Sequence, residues 1–312
     1  MRFVLFLAAA TTAFAQTPAV QLVTSDIGNF WKAYDASTSG HREEVFQKLY
    51  LDAGSPGLQD FLQSRIRSAK ALANAIDSQY PKFYASVRPY TLQVEKHRAA
   101  ILKSLARFQE LYPQAHFPPV YFVIGRLTSG GTTSDRAVLI GTEVNSLGPD
   151  VDTSEISPAF RRAMGSADHL PLIVIHELTH TQARPGESGK VPEMLARCIG
   201  EGAADFMTEL VTGSSINAYV KEWATPRREE LFRRLQQDMA EKPADVSRWL
   251  YNYSSVTDEP ADLGYWIGNE ICRSYYTQSK DKAKAIAEVV TLRNLEEIVR
   301  NSQYSWLLEP PK

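Results

Sequence analysis

The segment His-Glu-Leu-Thr-His at residues 176–180 constrains the fold more than any other, because its chemistry requires a helix. Residues four apart lie one turn above each other on the same helix face, so His176 and His180 can direct ring nitrogens at one metal ion. Glu177 lies beside the first of them, within reach of a water bound to such an ion. The apolar run at 171–175 predicts a buried helix whose ligand face lines a cleft.

A third ligand is predicted 21 residues after His180, where Glu201 begins the segment Glu-Gly-Ala-Ala-Asp. That distance suits a loop and the start of a second helix that packs against the first, and the small residues at 200–204 allow close approach. Asp205 is four residues beyond Glu201 and can accept the other ring N–H of a ligand histidine, which fixes its tautomer. The alternative for Glu201 and Asp205 is a solvated acidic helix start.

Two histidines and one glutamate leave a fourth coordination position open, which is typical of a catalytic rather than a structural zinc site. Zn²⁺ is inferred from the ligand types, and Mn²⁺ or Co²⁺ could replace it in vitro. In this hypothesis Glu177 takes a proton from the metal-bound water and acts as a general base.

Two cysteines, Cys198 and Cys272, are present. Cys198 is three residues before Glu201 and is the one residue that could alter the predicted ligand set. We expect the two cysteines to form a disulfide in a secreted chain, and the alternative is two buried free thiols.

The N-terminus predicts export. An apolar stretch at 3–10 is followed by Ala13-Phe14-Ala15, a small-x-small cleavage pattern, so residues 1–15 are interpreted as a signal peptide. The residue directly after the cleavage point is Gln16 and not cysteine, so we expect a secreted or periplasmic protein without a membrane anchor. A net charge of -2, from 34 basic and 36 acidic residues, argues against nucleic acid as a partner.

Periodicity predicts an α+β fold that is predominantly α-helical, with helical lobes on either side of a cleft. Trp31, Tyr34 and Phe46 are expected in the core. Strand-like runs at 120–125 and 137–141, joined by a Gly-rich loop at 129–134, predict a small β-hairpin ahead of the metal-binding helix. Its open edge could pair with a substrate backbone. The expected helices are 29–36, 43–50, 57–76, 92–111, 227–239 and 281–290, the last with Asp281 as N-cap.

The predicted organisation is a signal peptide (1–15), an N-terminal helical region (16–115), a metallopeptidase core (116–215) and a C-terminal helical region (216–312), together forming one catalytic unit. A Gly- and aromatic-rich segment at 262–268 includes Tyr265, whose hydroxyl could donate to an oxyanion. His169 is a second candidate for that role. The alternative for Tyr265 is an aromatic side chain at a tight helix contact.

The two-part metal pattern resembles the gluzincin group of zinc peptidases. Around it the chain is similar to a family of zinc-dependent proteases, mostly bacterial, labelled as a domain of unknown function. The similar segments are 30–35, 120–125, 130–132, the two metal motifs and 264–268. The resemblance implies that His176, His180 and Glu201 are ligands, that Glu177 is the base and that Asp205 orients a ligand histidine. It assigns no role to Tyr265.

These observations predict a secreted zinc metallopeptidase that acts on a peptide or protein substrate through a zinc-activated water. Two alternatives stay open: a zinc hydrolase of a non-peptide or cell-wall amide, and a metal-stabilised binding module without catalysis. The presence of Glu177 argues against the binding module, which has no need of a base.

Overall fold

A computed structural model describes residues 20–186, 189–241, 243–253 and 255–311 of the chain. The predicted signal peptide at 1–15 lies outside these residues. The described part is mostly helical with one four-stranded sheet, which confirms the predicted α+β class. Among the described helices, none combines the length and the apolar character that crossing a bilayer requires.

In the part of the chain that the structure describes, six helices precede the main strands of the sheet. They are α1 (Ser25–Asp35), α2 (Arg42–Phe46), α3 (Pro56–Phe61), α4 (Ala69–Asn74), α5 (Pro81–Thr91) and α6 (Arg98–Leu111). Single π-helical turns extend three of them, at Gln47–Leu51, Leu62–Ile66 and Ala75–Gln79, and a 3₁₀ turn at Val94–His97 leads into α6.

The single helix predicted over 57–76 is wrong, because the chain breaks between α3 and α4. Arg67 has a left-handed backbone with φ of 76°, which ends the first helix. The Ser68 hydroxyl then accepts a hydrogen bond from the Ala71 N–H at 3.1 Å and caps α4. A polar cap residue inside an apolar repeat thus starts a new helix.

Aromatic side chains form the core between α1, α2 and the π turn that follows α2. The Phe30 ring meets the rings of Trp31, Phe46 and Tyr50 edge to face, with centroids 5.0, 5.1 and 5.3 Å apart. Trp31 and Phe46 are buried as predicted, whereas Tyr34 packs at the margin of this core and is half-buried.

The sheet has the strand order β1-β2-β4-β3, with β1 (Leu22–Val23), β2 (Val120–Val123), β3 (Gly131–Thr133) and β4 (Val138–Gly141). The predicted hairpin of the runs at 120–125 and 137–141 is wrong, because β2 and β4 pair in parallel, with Val120 opposite Val138. Both strands are fully buried and apolar, as is typical of parallel strands covered on two faces. Part of the predicted loop forms β3, which pairs antiparallel with β4 and lies at the sheet edge.

Eight helices follow the sheet within the described residues. They are α7 (Pro158–Ala163), α8 (Leu170–Gln182), α9 (Glu193–Thr212), α10 (Ala218–Ala224), α11 (Arg228–Ala240), α12 (Leu263–Gln278), α13 (Lys282–Thr291) and α14 (Leu295–Arg300). Short 3₁₀ turns lie at Ala167–His169, Thr225–Arg227, Val246–Arg248 and Ser305–Leu308. Asp281 caps α13 as predicted, since its carboxylate accepts from the Lys284 N–H at 2.9 Å.

Helices α9 and α12 touch through their backbones, because glycines remove the side chains between them. A Cβ atom on Gly268 would lie 1.8 Å from the Cys198 carbonyl oxygen, and one on Gly202 would lie 2.1 Å from the Asn269 nitrogen. This contact determines how α12 is placed behind α9.

The same contact explains why the predicted disulfide is absent. Cys198 and Cys272 are both free and buried. The Cys198 sulfur packs against Gly264, where a Cβ atom would lie 2.9 Å from it, and its carbonyl packs against Gly268. Cys272 is a full helical turn beyond Gly268, so the rotational setting of the two helices keeps the thiols from pairing.

Candidate metal centre

Helix α8 carries the His-Glu-Leu-Thr-His segment and is buried along most of its length. Its start is well defined, with Pro171 in the first turn, where a missing N–H costs nothing. His169 precedes it, and its ring accepts a hydrogen bond from the Ser166 N–H at 3.3 Å. His169 is therefore a helix-capping residue about 10 Å along the axis from His176, not a member of the cluster.

Three polar side chains meet where α8 and α9 pack. The Nε2 atoms of His176 and His180 are 3.1 Å apart. The Oε2 atom of Glu201 lies 3.5 Å from the first and 3.2 Å from the second. The helix spacing in α8 and the 21-residue gap thus bring together the three residues predicted as ligands, as one compact triangle of donor atoms.

Asp205 lies behind this triangle, as predicted. Its Oδ1 atom is 2.9 Å from Nδ1 of His176, and its Oδ2 atom accepts a hydrogen bond from the Asn217 amide at 2.9 Å. An Nδ1–H donated to Asp205 leaves the Nε2 lone pair of His176 free to bind a cation.

The cluster shifts the pKa values of its own members. Burial alone would lower the pKa of His176, but Asp205 and Glu201 outweigh it and raise that pKa well above its usual value. Burial alone would raise the pKa of Glu201, but the two imidazoles lower it well below its usual value. The site therefore holds a charged carboxylate at a partly buried position through its two imidazole neighbours.

The triangle fits the dimensions of a zinc site. Zinc bonds of about 2.0–2.1 Å in a tetrahedron place neighbouring ligand atoms about 3.3 Å apart. The observed separations are 3.1, 3.2 and 3.5 Å, from imidazole and carboxylate atoms that Zn²⁺ accepts. His176, His180 and Glu201 could hold such an ion with little movement.

Glu177 is buried, at 7% exposure, on the side of α8 that faces β3. A Cβ atom on Gly131 would lie 2.5 Å from its Oε1 atom, so only glycine lets the edge strand pass this carboxyl group. Burial raises the pKa of Glu177, and the charges of the two histidines oppose that shift.

Tyr265 lies beside the cluster and not within the triangle. Its ring stacks on the His176 ring, with centroids 6.0 Å apart and planes 16° from parallel. Burial raises the pKa of Tyr265 well above its usual value, so the phenol stays neutral. Whether Tyr265 donates its hydroxyl to an oxyanion or only packs at a helix contact stays a prediction.

Cys198 does not enter the ligand set. Its sulfur packs on Gly264, and burial raises the pKa of the thiol to about 12, which opposes the thiolate form that metals bind. The candidate ligands among the described residues are thus the predicted three.

Two residues at the site were missed by the sequence interpretation. Asn217 holds the far oxygen of Asp205, and Tyr251 donates its hydroxyl to Oε1 of Glu201 at 2.5 Å. Tyr251 lies in the loop between α11 and α12, 50 residues from its partner. Neither residue belongs to a periodic pattern or a motif, so no local signal indicates them.

The comparisons with known proteins bear on the family. The family model described as gliding motility protein GldB matches residues 16–306, which is nearly the whole chain. Neither the search of curated proteins nor that of solved structures found a match. The model's label marks a lipoprotein family, in line with the predicted export, and the chain is an extracytoplasmic protein.

The match overturns the predicted family and activity. The chain was expected to resemble gluzincin-like zinc-dependent proteases and to act as a zinc metallopeptidase, a hydrolase with Glu177 as base. That prediction is wrong, because a pattern of two histidines and a glutamate reports the geometry of a cation site and not the role of the protein that holds it. The chain belongs to the family of gliding motility protein GldB.

Proposed function

We propose that this chain is a zinc-binding component of a gliding apparatus, in which the ion joins two helices and stabilises a surface for a protein partner. His176 and His180 from α8 and Glu201 from α9 hold the ion, and Asp205 orients His176. The observation that carries the proposal is the triangle of donor atoms with separations of 3.1–3.5 Å.

Electrostatics supports the proposal. The carboxylates of Glu201, which is partly buried, and of Asp205, which is buried, lie within 3.5 Å of His176. A divalent cation bound to the imidazole nitrogens supplies positive charge at the centre of this group, so it stabilises the two carboxylates and the contact between the two helices.

The partner is a protein or peptide rather than nucleic acid. A net charge of -2 provides no attraction for a phosphate backbone. Three protein ligands leave one coordination position, which can take water or a donor group from the partner. The role in gliding rests on the family description, and the location, secreted or periplasmic, rests on the signal sequence predicted at 1–15.

Metal binding is tested on the purified mature protein. We expect one equivalent of zinc by elemental analysis and a rise in the free energy of unfolding of about 2.7 kcal/mol when free zinc exceeds its dissociation constant a hundredfold. His180→Ala should abolish both effects, whereas the control His41→Ala, at an exposed position, should retain them. The proposal is contradicted if the wild-type protein takes up no zinc and its free energy of unfolding changes with neither zinc nor chelator.

The role in motility is tested separately in the source organism. Deleting the gene should reduce spreading on a surface, and a plasmid copy should restore it. A copy carrying His180→Ala should restore less than the wild-type copy if the metal supports the function. Undiminished spreading of the deletion strain would contradict the role in gliding. It would not contradict zinc binding.

A further inference from the structure

The two oxygens of Glu201 have different partners. Oε2 faces the imidazoles, at 3.2 Å from His180 and 3.5 Å from His176. Oε1 accepts the Tyr251 hydroxyl at 2.5 Å. A hydrogen bond from a neutral donor to one oxygen leaves the other as the atom that can meet a cation.

The backbone at Tyr251 is strained. Its φ of 60° is in the left-handed region, where a bulky side chain is unfavourable. Two hydrogen bonds hold the loop in this form: the Asn252 N–H donates to Asp262 Oδ1 at 3.3 Å, and the Asp262 N–H donates to Asn252 Oδ1 at 2.8 Å. Asp262 is also the residue before α12, so the strained loop is anchored to a core helix.

The Tyr251 side chain is placed by its polar contact more than by burial. It is 57% exposed, which makes it the more exposed of the two exposed large hydrophobic side chains in the described part of the chain. Its ring meets Tyr265 edge to face at 6.4 Å, and Tyr265 stacks on His176. The phenol therefore reaches the ligand set at two points, through the Glu201 oxygen and through the aromatic ring behind His176.

We propose that Tyr251 is a positioning residue of the metal site, whose hydroxyl holds Oε1 of Glu201 so that the carboxylate meets a bound cation through Oε2 alone. The inference rests on the proposed zinc binding and adds a residue and a coordination mode to it. Strain in the loop is maintained because it brings the hydroxyl to Glu201.

Tyr251→Phe tests the proposal, because it removes the hydroxyl and keeps the ring and its contact with Tyr265. Zinc affinity is measured by competition with a chromophoric chelator. We expect the dissociation constant to rise at least about tenfold, as is usual when a partner of a ligand is lost. Tyr253→Phe is the matched control, since Tyr253 lies in the same loop but packs on Phe160, and its affinity should stay within about twofold of wild type.

The coordination mode is measured separately, from the visible absorption of bound Co²⁺. Co²⁺ replaces zinc at such sites, and its visible absorption is stronger in four-coordinate than in five- or six-coordinate geometry. Wild type should give the intense spectrum. Tyr251→Phe frees Oε1 to bind as well, so its spectrum should weaken.

The outcomes separate the two proposals. A wild-type protein that binds neither zinc nor Co²⁺ overturns zinc binding and the role of Tyr251 together. If wild type binds both metals, and Tyr251→Phe binds zinc with the same affinity and gives the same Co²⁺ spectrum, only the role of Tyr251 is overturned. If Tyr251→Phe lowers the melting temperature of the metal-free protein but leaves zinc affinity unchanged, the role of Tyr251 is structural. That result also overturns the inference.

Discussion

Two glutamates of this protein, one partly and one fully buried, have opposite electrostatic settings. Glu201, on α9, lies among two imidazoles and a phenol, and its pKa is held well below the usual value. Glu143, which follows β4, is fully buried, and desolvation raises its pKa to about 7 against the hydrogen bonds of backbone N–H groups. Desolvation opposes the ionisation of both carboxyl groups, so the neighbours determine the direction of the shift.

The polar groups around Glu143 form hydrogen bonds mainly with each other and less with its carboxyl group. Tyr50 and Tyr84 donate their hydroxyls to the carbonyls of Ile124 and Gly125, each at 2.6 Å. Glu143 Oε1 accepts the Leu127 N–H at 3.2 Å, and Oε2 has no hydrogen-bond partner among the residues described. This pocket suits a neutral acid, whereas the pocket of Glu201 suits an anion beside a cation.

The largest expected effect comes from removing the imidazole that Glu201 and Asp205 share. His176→Ala leaves the partly buried Glu201 and the buried Asp205 without it. We expect the free energy of unfolding to fall by about 3–5 kcal/mol in the metal-free protein, and zinc binding to be lost. Urea unfolding with chelator present measures the first effect.

The control for this comparison is His41→Ala, which replaces an exposed histidine whose side chain makes no cap hydrogen bond at the start of α2. It should change the free energy of unfolding by less than about 0.5 kcal/mol. A loss below about 1 kcal/mol for His176→Ala would mean that the two carboxylates do not depend on the imidazole, and would remove the contrast with Glu143.

The second prediction concerns Glu143→Gln and the pH dependence of stability. A carboxyl group whose pKa rises from 4.5 to about 7 on folding stabilises the fold fully below pH 4.5, and loses that contribution as pH rises through 7. Glutamine does not ionise. Relative to wild type, we expect the variant to gain about 2–3 kcal/mol between pH 4.5 and pH 8.

Urea unfolding of both proteins across that pH range makes the measurement. Glu44→Gln, at an exposed position on α2, is the control and should follow the wild-type profile. Parallel profiles for Glu143→Gln and wild type would show that Glu143 ionises in the folded protein as easily as in the unfolded chain.

Local geometry made part of this molecule predictable. Four-residue spacing on a helix suffices to bring His176 and His180 together, and the same spacing on α9 aligns Glu201 with Asp205. The α+β class follows from the periodicity of the helical runs and two apolar strands. These features depend on residues close in the chain.

Features that join distant parts of the chain were not predictable. The parallel pairing of β2 with β4 depends on where the connecting segment runs, since β3 adds to the far side of β4. The separation of Cys198 from Cys272 depends on the rotational setting of α9 against α12. Tyr251 reaches Glu201 through a strained loop that no pattern indicates.

Activity could not be deduced from the ligand motif either. The spacing of His176, His180 and Glu201 describes how donor atoms converge, and it does not say what reaction, if any, the converged atoms serve. The family match extends over residues 16–306 and is not confined to the segments that carry the motif.

The smallest expected effect, Asp205→Asn, sharpens the comparison of the two pockets. The change is the same as in Glu143→Gln, a carboxyl group replaced by its amide, so only the surroundings differ. The amide oxygen introduced by Asp205→Asn can still accept from His176 Nδ1, but it lacks the charge that makes the imidazole a stronger ligand. We expect zinc affinity to fall about 10- to 100-fold, or about 1.4–2.8 kcal/mol, by chelator competition at pH 8. At that pH Glu143→Gln should leave zinc affinity unchanged. If both variants moved zinc affinity alike, or neither did, the carboxyl of Asp205 would be no more coupled to the imidazole than that of Glu143, and the distinction between the two pockets would fail.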